Sequence, residues 1–278
     1  MLDLIKYIIL GIIQGFTEPI PVSSSGHLLI FQTIISKFNG NFDVDFSTLA
    51  TITNFGSLIA ITLIYWKDII RLVKSFFTYI FKKEKRSNSD IKTDYSYCWK
   101  IVVATIPAGI MGLIVTKLGL LDALEENVKF VGLMLIVTAF ALYLIKDFKG
   151  MFKKENMHFK DALIIGFFQM LALIPGLSRS GSTIVGGMLR GLKRTDAFDF
   201  SFILYIPISI ATSILGVKDL LEMSISSTMW VFYLSSALMA FIFTYITTRW
   251  FSKIVKEGKL IYFSVYCLIA GILVIMFL

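Results

Sequence analysis

Six runs of about 20 predominantly apolar residues, at 46–66, 99–118, 128–145, 200–217, 229–248 and 260–278, leave this chain few architectures. A bilayer core about 30 Å thick needs about 20 helical residues to cross it, so the pattern predicts a polytopic helical membrane protein with six crossings. Of the 278 residues, 56% are hydrophobic and only 17% are charged, and the mean hydropathy is +0.78. A soluble domain is about a quarter charged, which excludes a soluble globular enzyme. The net charge of +8 raises the question of a nucleic acid partner. The basic residues lie between the apolar runs, where charge sets orientation, so no nucleic acid partner is expected. Cys98 and Cys267 sit far apart in different runs and read as small apolar fillers, neither a disulfide framework nor a thiol-ligated metal site. The start Met1-Leu2-Asp3 lacks a basic stretch and its apolar run leads into Gln14 and Glu18, so no cleavable signal peptide is expected.

Two further apolar regions, 4–35 and 162–192, are broken in the middle. The interruptions read Glu18-Pro-Ile-Pro-Val-Ser-Ser-Ser-Gly-His27 and Pro175-Gly-Leu-Ser-Arg-Ser-Gly-Ser-Thr183. Leu4 to Thr17 would rise only about 21 Å as a helix, too short to cross. Irregular backbone at membrane depth is tolerated only where protein or a wet cavity surrounds it. Both regions are therefore expected to be re-entrant helical hairpins whose tips meet inside the bundle.

Lysine and arginine set the orientation. The connections 67–100, 146–161, 190–199 and 249–259 together carry a net +11, while 37–45, 117–129 and 217–228 are each −1. The two classes alternate as six crossings require. With positive connections inside, the first hairpin enters from the outside, the second from the cytoplasm, and the C-terminus is external. The polar stretch from Lys82 to Asp90 is expected to be a flexible cytoplasmic loop, with attraction to the headgroups of membrane lipids as the alternative reading.

Sliding the chain against itself by 155 residues superimposes the two polar tips: Gly11 on Gly166, Gln14 on Gln169, Ser23 on Ser178, Ser25 on Ser180 and Gly26 on Gly181. A shift of 154 places Asp45-Phe46-Ser47 on Asp199-Phe200-Ser201. One membrane domain, 1–278, is thus expected to consist of two halves, about 1–150 and 151–278. Three crossings per half is odd, so the halves are expected to be inverted. Inverted repeats with broken helices form sites at their interface.

The first tip supplies Gln14, Glu18, Ser23, Ser24, Ser25 and His27; the second supplies Ser178, Arg179, Ser180, Ser182 and Thr183. Ionisable groups at membrane depth are functional candidates by default, and here they are Glu18, His27 and Arg179. Ser178 or Ser180 is suited to cap a half-helix starting at about Ser182, and a capped helix N-terminus rich in hydroxyls is an anion site. Arg179 adds a planar fork of donors matched to phosphate. Phosphoryl transfer needs charge neutralisation, an in-line nucleophile and a proton acceptor. Arg179 supplies the first, a serine or activated water the second, and Glu18 with His27 the third. A structural ion pair between Glu18 and Arg179 is the plainer alternative.

At these residues the chain resembles the undecaprenyl-pyrophosphate phosphatase family, the integral-membrane type associated with bacitracin resistance. The first signature reads Gln14-Gly-Phe-Thr-Glu18-Pro-Ile-Pro21-Val-Ser-Ser-Ser-Gly-His27 and the second runs unbroken from Pro175 to Thr183. The resemblance covers essentially the whole chain, and it implies six crossings with two re-entrant hairpins in an inverted repeat. It also implies hydrolysis of a C55 polyprenyl diphosphate to the monophosphate carrier and inorganic phosphate, at the outer face of the cytoplasmic membrane. By position, Ser24 corresponds to the nucleophile, His27 to its general base or proton shuttle, and Glu18 to the essential carboxylate. Arg179, with Ser178 and Thr183, corresponds to the diphosphate-binding group. Family members are described as using a divalent cation, magnesium or calcium. Many carry a second carboxylate where this chain has Gln14, so metal binding here would lean on Glu18 and the substrate's own phosphates. Pro19, where an aromatic is common, and Asn54, where a glutamine is common, are smaller departures. The resemblance leaves a homodimer open.

Apolar grooves beside the hairpins would suit a prenyl tail entering from the bilayer, with Phe16, Phe31, Phe167 and Phe168 as candidate lining. The rival reading is a lipid-phosphate transporter, which would use the same Arg179 and serines. A transporter has no need of Ser24 next to His27 with Glu18 nearby. Hydrolysis followed by return of the monophosphate lipid across the membrane would combine the two. An ion channel fits poorly, since neither tip offers a ring of like charges.

Overall fold

Each cluster of proline, glycine and serine stops a helix and starts another. In the computed structural model, which describes residues 2–39, 45–120, 124, 127–222 and 225–278, helix α1 (Leu2–Thr17) ends just before Glu18-Pro19, and α2 (Ser24–Asn39) starts after Pro21. Proline lacks an N–H and disfavours helix in the residue before it. Likewise α7 (Phe159–Leu171) and α8 (Arg179–Leu189) flank Pro175-Gly176, where Gly176 takes φ +89°. The remaining helices are α3 (Phe46–Ile64), α4 (Trp66–Phe81), α5 (Ser89–Leu118), α6 (Val128–Leu144), α9 (Arg194–Glu222), α10 (Ser227–Lys256) and α11 (Ile261–Phe277). Phe152 and Leu192 form one isolated bridge; among the described residues no strand is present.

Four stretches are long and apolar enough to cross a bilayer: Phe46–Ile64, Ser89–Leu118, Arg194–Val217 and Ser227–Lys256. The 17-residue helices α6 and α11 are apolar but shorter, rising about 25 Å each. Large apolar side chains such as Leu118, Phe140 and Ile214 stand exposed on the outer surface, as a lipid-facing belt requires. The chain is a multi-pass membrane protein.

Helices extend beyond the apolar runs that predict them. α5 begins at Ser89 rather than 99, α9 at Arg194 rather than 200, and α10 continues to Lys256 rather than 248. Hydropathy marks membrane depth, whereas a helix ends where its backbone finds a cap. Asn88 caps α5 by accepting from the amides of Asp90 and Ile91, at 3.0 and 3.1 Å. The connection 67–100 is likewise mostly helix. Its first part, α4, is amphipathic and packs on α5, where Ser75 donates to Asp94 at 2.9 Å and Arg71 pairs with Asp94 at 3.3 Å. The stretch 82–90, expected as a flexible loop, is a short 3-10 turn at Lys83–Lys85 leading into the Asn88 cap.

The helices pair in a pattern that survives exchange of the two halves. α1 packs on α10 as α7 packs on α5; α3 meets α10 as α9 meets α5; α3 meets α9, and α6 meets α11. Glycines permit the closest approaches. A Cβ on Gly11 would sit 2.2 Å from the Ser236 carbonyl oxygen, and one on Gly166 would sit 2.6 Å from that of Ala104. Between α6 and α11, Gly132 and Gly271 face each other, with a Cβ on Gly271 only 2.5 Å from the Gly132 oxygen. This packing brings the turn between α1 and α2 against the turn between α7 and α8.

Candidate active site

The last turn of α1 carries Gln14 and Glu18 on one face, four residues apart. The Glu18 amide still donates to the Gln14 carbonyl at 2.9 Å, and Gln14 Nε2 donates to Glu18 Oε2 at 2.9 Å. Beyond the prolines, Ser23 takes φ +66°, the single non-glycine residue at positive φ among the described residues. That conformation costs of order 1–3 kcal/mol and persists where surrounding structure holds it. Ser23 Oγ accepts from the Gly26 amide at 3.3 Å, capping α2 and delivering Ser24 to its first turn. Ser24 Oγ donates a short hydrogen bond to Glu18 Oε2.

The second tip repeats this cap. Ser178 Oγ accepts from the Gly181 amide at 3.1 Å, so α8 starts at Arg179, three residues before the expected Ser182, with Ser178 rather than Ser180 as its cap. Starting there places Arg179 at the helix N-terminus. Its Nη2 donates to Glu18 Oε1 at 2.7 Å, and its guanidinium lies 4.0 Å from the centroid of the Tyr205 ring. Tyr205 in turn donates to Asn54 Oδ1 at 2.7 Å. The Glu18 side chain is 8% exposed and that of Arg179 18%, yet Arg179 Nη1 is buried with no hydrogen-bond partner.

Gln14, Glu18, Ser24 and Arg179 therefore form one connected set. The other expected site residues surround it. Ser180 Oγ donates to the Ile20 carbonyl at 3.2 Å and tethers one tip to the other. Thr183 and Ser201 share a hydrogen bond at 2.5 Å, and the Ser178 amide donates to Thr138 Oγ1 at 3.3 Å. Ser25 is exposed and, with Ser47 and Gly176 among others, lines a cavity of about 240 Å³. His27 is set apart from Ser24. Its Nδ1 lies 2.8 Å from the Ser23 carbonyl oxygen and its Nε2 2.7 Å from the Tyr266 hydroxyl. A carbonyl only accepts, so Nδ1 carries a proton, and Nε2 shares a hydrogen bond with the Tyr266 hydroxyl. Neither ring nitrogen bonds Ser24; the carboxylate of Glu18 does.

Among the described residues no group of three or more His, Cys, Asp or Glu side chains is placed to hold a metal ion. Glu18 is the one carboxylate in the two tips, and both its oxygens already accept from Arg179, Gln14 and Ser24. These residues do not fit a protein-built site for a hard divalent cation such as calcium, which takes six or more oxygen ligands.

Tyr205, Tyr266 and Ser201 escaped the motif-based reading, whereas Asn54 was marked only as a departure from the family pattern. Ser201 alone had a signal, lying in the Asp-Phe-Ser pair that matches between halves. The aromatics thought to line a groove divide differently. Phe31 does line one, Phe16 stacks on Trp250 at 6.0 Å, Phe167 is exposed, and Phe168 packs against Gly186.

Comparison with known proteins gives one answer. The model of the family described as bacitracin resistance protein BacA matches residues 7–273. The chain is 41% identical over 275 residues to undecaprenyl-diphosphatase 2 of Bacillus thuringiensis (strain Al Hakam), covering 99% of this chain and 98% of that protein. It is 39% identical over 278 residues to undecaprenyl-diphosphatase of Oceanobacillus iheyensis, covering 99% and 97%, and 37% identical over 275 residues to undecaprenyl-diphosphatase 1 of Halalkalibacterium halodurans, covering 98% and 95%. By near-complete match to the family and by these full-length relatives, the chain belongs to the bacitracin resistance protein BacA family.

Proposed function

We infer that this chain is an undecaprenyl-diphosphatase: it hydrolyses the C55 lipid diphosphate to undecaprenyl phosphate and inorganic phosphate, returning the lipid carrier to cell-wall synthesis. The observation that carries the reading is Arg179, clamped by Glu18 and stacked on Tyr205 while Nη1 of its guanidinium is buried without a hydrogen-bond partner. A buried donor without an acceptor costs about 1–3 kcal/mol, and a phosphate oxygen supplies the missing acceptor in a charge-assisted bond.

In the proposed reaction Arg179 binds and orients the terminal phosphate, and the free amides at the α8 N-terminus add to the positive field. Ser24 Oγ attacks the terminal phosphorus while Glu18, already its hydrogen-bond acceptor, takes the proton. The bond from that phosphorus to the bridging oxygen breaks and prenyl monophosphate leaves. Water then attacks the phosphoseryl phosphorus and the bond from phosphorus to Ser24 Oγ breaks; Glu18 returns its proton to that oxygen, and the water's oxygen and both its hydrogens leave in inorganic phosphate. Gln14 holds the carboxylate in place. His27, tied to Ser23 and Tyr266, fixes the turn that presents Ser24.

The architecture proposed for this site has six crossings and two re-entrant hairpins in halves of opposite orientation. The exchange-symmetric helix pairing supports it, as does the matched capping of the two tips by Ser23 and Ser178. The charge of the connections supports a cytoplasmic membrane location with the site facing outward.

The test is phosphate release from C55 diphosphate by purified protein in detergent, with Ser24→Ala and Arg179→Ala alongside. Turnover confined to the wild type supports the enzyme. Absence of turnover with folded protein and substrate present overturns it in favour of the lipid-phosphate transporter.

A further inference from the structure

Helix α3 holds one amide side chain, Asn54, and no charged residue. An amide inside a membrane-crossing helix is costly unless it is hydrogen-bonded. Asn54 Oδ1 accepts from the Tyr205 hydroxyl of α9 at 2.7 Å, and the same hydroxyl lies 3.3 Å from the Asn54 carbonyl oxygen. Tyr205 is 2% exposed, and the Arg179 guanidinium lies over its ring at 4.0 Å. The phenol thus has its polar end fixed on α3 and a ring face turned to Arg179. The register that matches Asp45-Phe46-Ser47 with Asp199-Phe200-Ser201 carries Asn54 onto Ile208 and Tyr205 onto Thr51. Ile208 offers no side-chain acceptor, and Thr51 packs against Gly216. α9 forms with isoleucine at the matched position, so the helix does not require the amide. An amide and a phenol paired in one half only, beside the one arginine of the two tips, answer to the site rather than to the fold.

Two things orient a planar guanidinium: its plane, and its rotation within that plane. The Tyr205 ring face sets the plane, and Glu18 Oε1, 2.7 Å from Nη2, sets the rotation. Nη1, buried without a hydrogen-bond partner, is then left with one direction. The anchor is itself tied to the helix that carries Glu18. One turn beyond Asn54, Ser57 Oγ shares a hydrogen bond with Thr244 Oγ1 at 2.8 Å, and Thr244 Oγ1 donates to the Gly15 carbonyl at 3.2 Å. That carbonyl in the last turn of α1 would otherwise await the amide of residue 19, a proline, which has none. Resting on the diphosphatase reading above, we propose that Tyr205 and Asn54 are positioning residues of the reaction. Asn54 anchors the phenol, the phenol sets the plane of Arg179, and Nη1 is thereby held in the direction from which it takes a phosphate oxygen. Neither residue need touch the substrate.

The experiment is calorimetric binding of a non-hydrolysable ten-carbon prenyl methylenediphosphonate to the purified protein in detergent, beside phosphate release from C55 diphosphate. Tyr205→Phe keeps the ring and drops the hydroxyl, while Asn54→Leu drops the acceptor. Each is expected to raise the Kd of the analogue about fivefold, the worth of one net hydrogen bond. The double variant is expected to lose no more than either single one, because both cut the same tether. With Arg179→Lys as the background, Asn54→Leu is expected to change the Kd by less than about twofold, since an ammonium has no plane to set. Thr53→Val is the control for buried hydroxyls of α3: it removes a bond of 2.8 Å to the Leu49 carbonyl of the same helix and is expected to leave both Kd and phosphate release unchanged. An unchanged Kd in Tyr205→Phe, additive losses, an equal loss in Thr53→Val, or an undiminished loss in the Arg179→Lys background overturns the proposal. Wild-type turnover with any of those results keeps the enzyme and sinks the positioning. The expected pattern of Kd values with no phosphate release by the wild type upholds the anchored arginine and sinks the diphosphatase. A wild type that neither binds the analogue nor releases phosphate sinks both.

Discussion

The carboxylate of Glu18 receives three donors from three directions, and each substitution around it has a different expected outcome. Arg179→Ala leaves a largely buried carboxylate without its cation, a change that costs 3–5 kcal/mol when one partner of a buried pair is removed. Loss of turnover is therefore expected together with a lower thermal midpoint, read by scanning fluorimetry in detergent. Arg179→Lys keeps the charge but loses the planar fork and the stacking on Tyr205; phosphate release is expected to stay at least tenfold below wild type, and recovery to near wild type would remove bidentate recognition from the account. Glu18→Gln is expected to abolish turnover in a folded protein, because the amide cannot take the Ser24 proton. Gln14→Glu places a second carboxylate one helical turn from Glu18, a better start for a hard cation, so stimulation by magnesium or calcium is expected to exceed that of wild type in a titration after chelation. In the proposed mechanism Tyr266 acts as a positioning residue through His27, which its hydroxyl meets at 2.7 Å. In a double-mutant cycle, Tyr266→Phe is expected to reduce kcat on its own and to add nothing on top of His27→Ala, whereas additive losses would separate the two.

Helix ends and helix crossings answer to different parts of the chain. The ends follow local chemistry: Asn88, Ser178 and Ser226 each cap with a side-chain oxygen, and the prolines of both tips stop the preceding helix. These ends were mostly legible in the order of residues, apart from the polar extensions of α5, α9 and α10 and the amphipathic α4 hidden in a charged connection. The crossings depend on glycines meeting backbones elsewhere in the chain. Gly11 and Gly56 approach Ser236 and Ala237 on the same helix. Gly11→Leu is expected to force α1 from α10, lowering the thermal midpoint by several degrees and reducing turnover by shifting Glu18, while Gly109→Ala, facing open space, is expected to change neither.

For the molecule in its membrane, the proposed orientation, drawn from the alternating charge of the connections, puts the polar segment around Ser87 in the cytoplasm. Ser87→Cys, in a background with Cys98 and Cys267 replaced by serine, is expected to react with a membrane-impermeant maleimide in inside-out vesicles and not in intact cells; labelling of intact cells would invert the orientation and put the site on the inner face. The pairing of helices across the two halves also explains why single-site chemistry needs the whole chain. Glu18 and Ser24 come from one half and Arg179 and Tyr205 from the other, so neither half holds a complete site.

The linear order of residues by itself determined the class of structure, the two breaks, the matched tips and the set of polar side chains offered to the site. Each of these depends on near neighbours in the chain: apolar length against bilayer thickness, proline against helix, serine against a free amide. The partnerships were decided only in three dimensions. That Ser24 bonds Glu18 while His27 bonds Tyr266, that Tyr205 backs Arg179, and that α5 and α9 part where α3 and α10 close, all depend on contacts between different helices or on a turn whose Ser23 adopts positive φ. Such contacts are set by how helices cross and by which small residues let them approach, and periodicity along one helix carries no record of the helix it will meet.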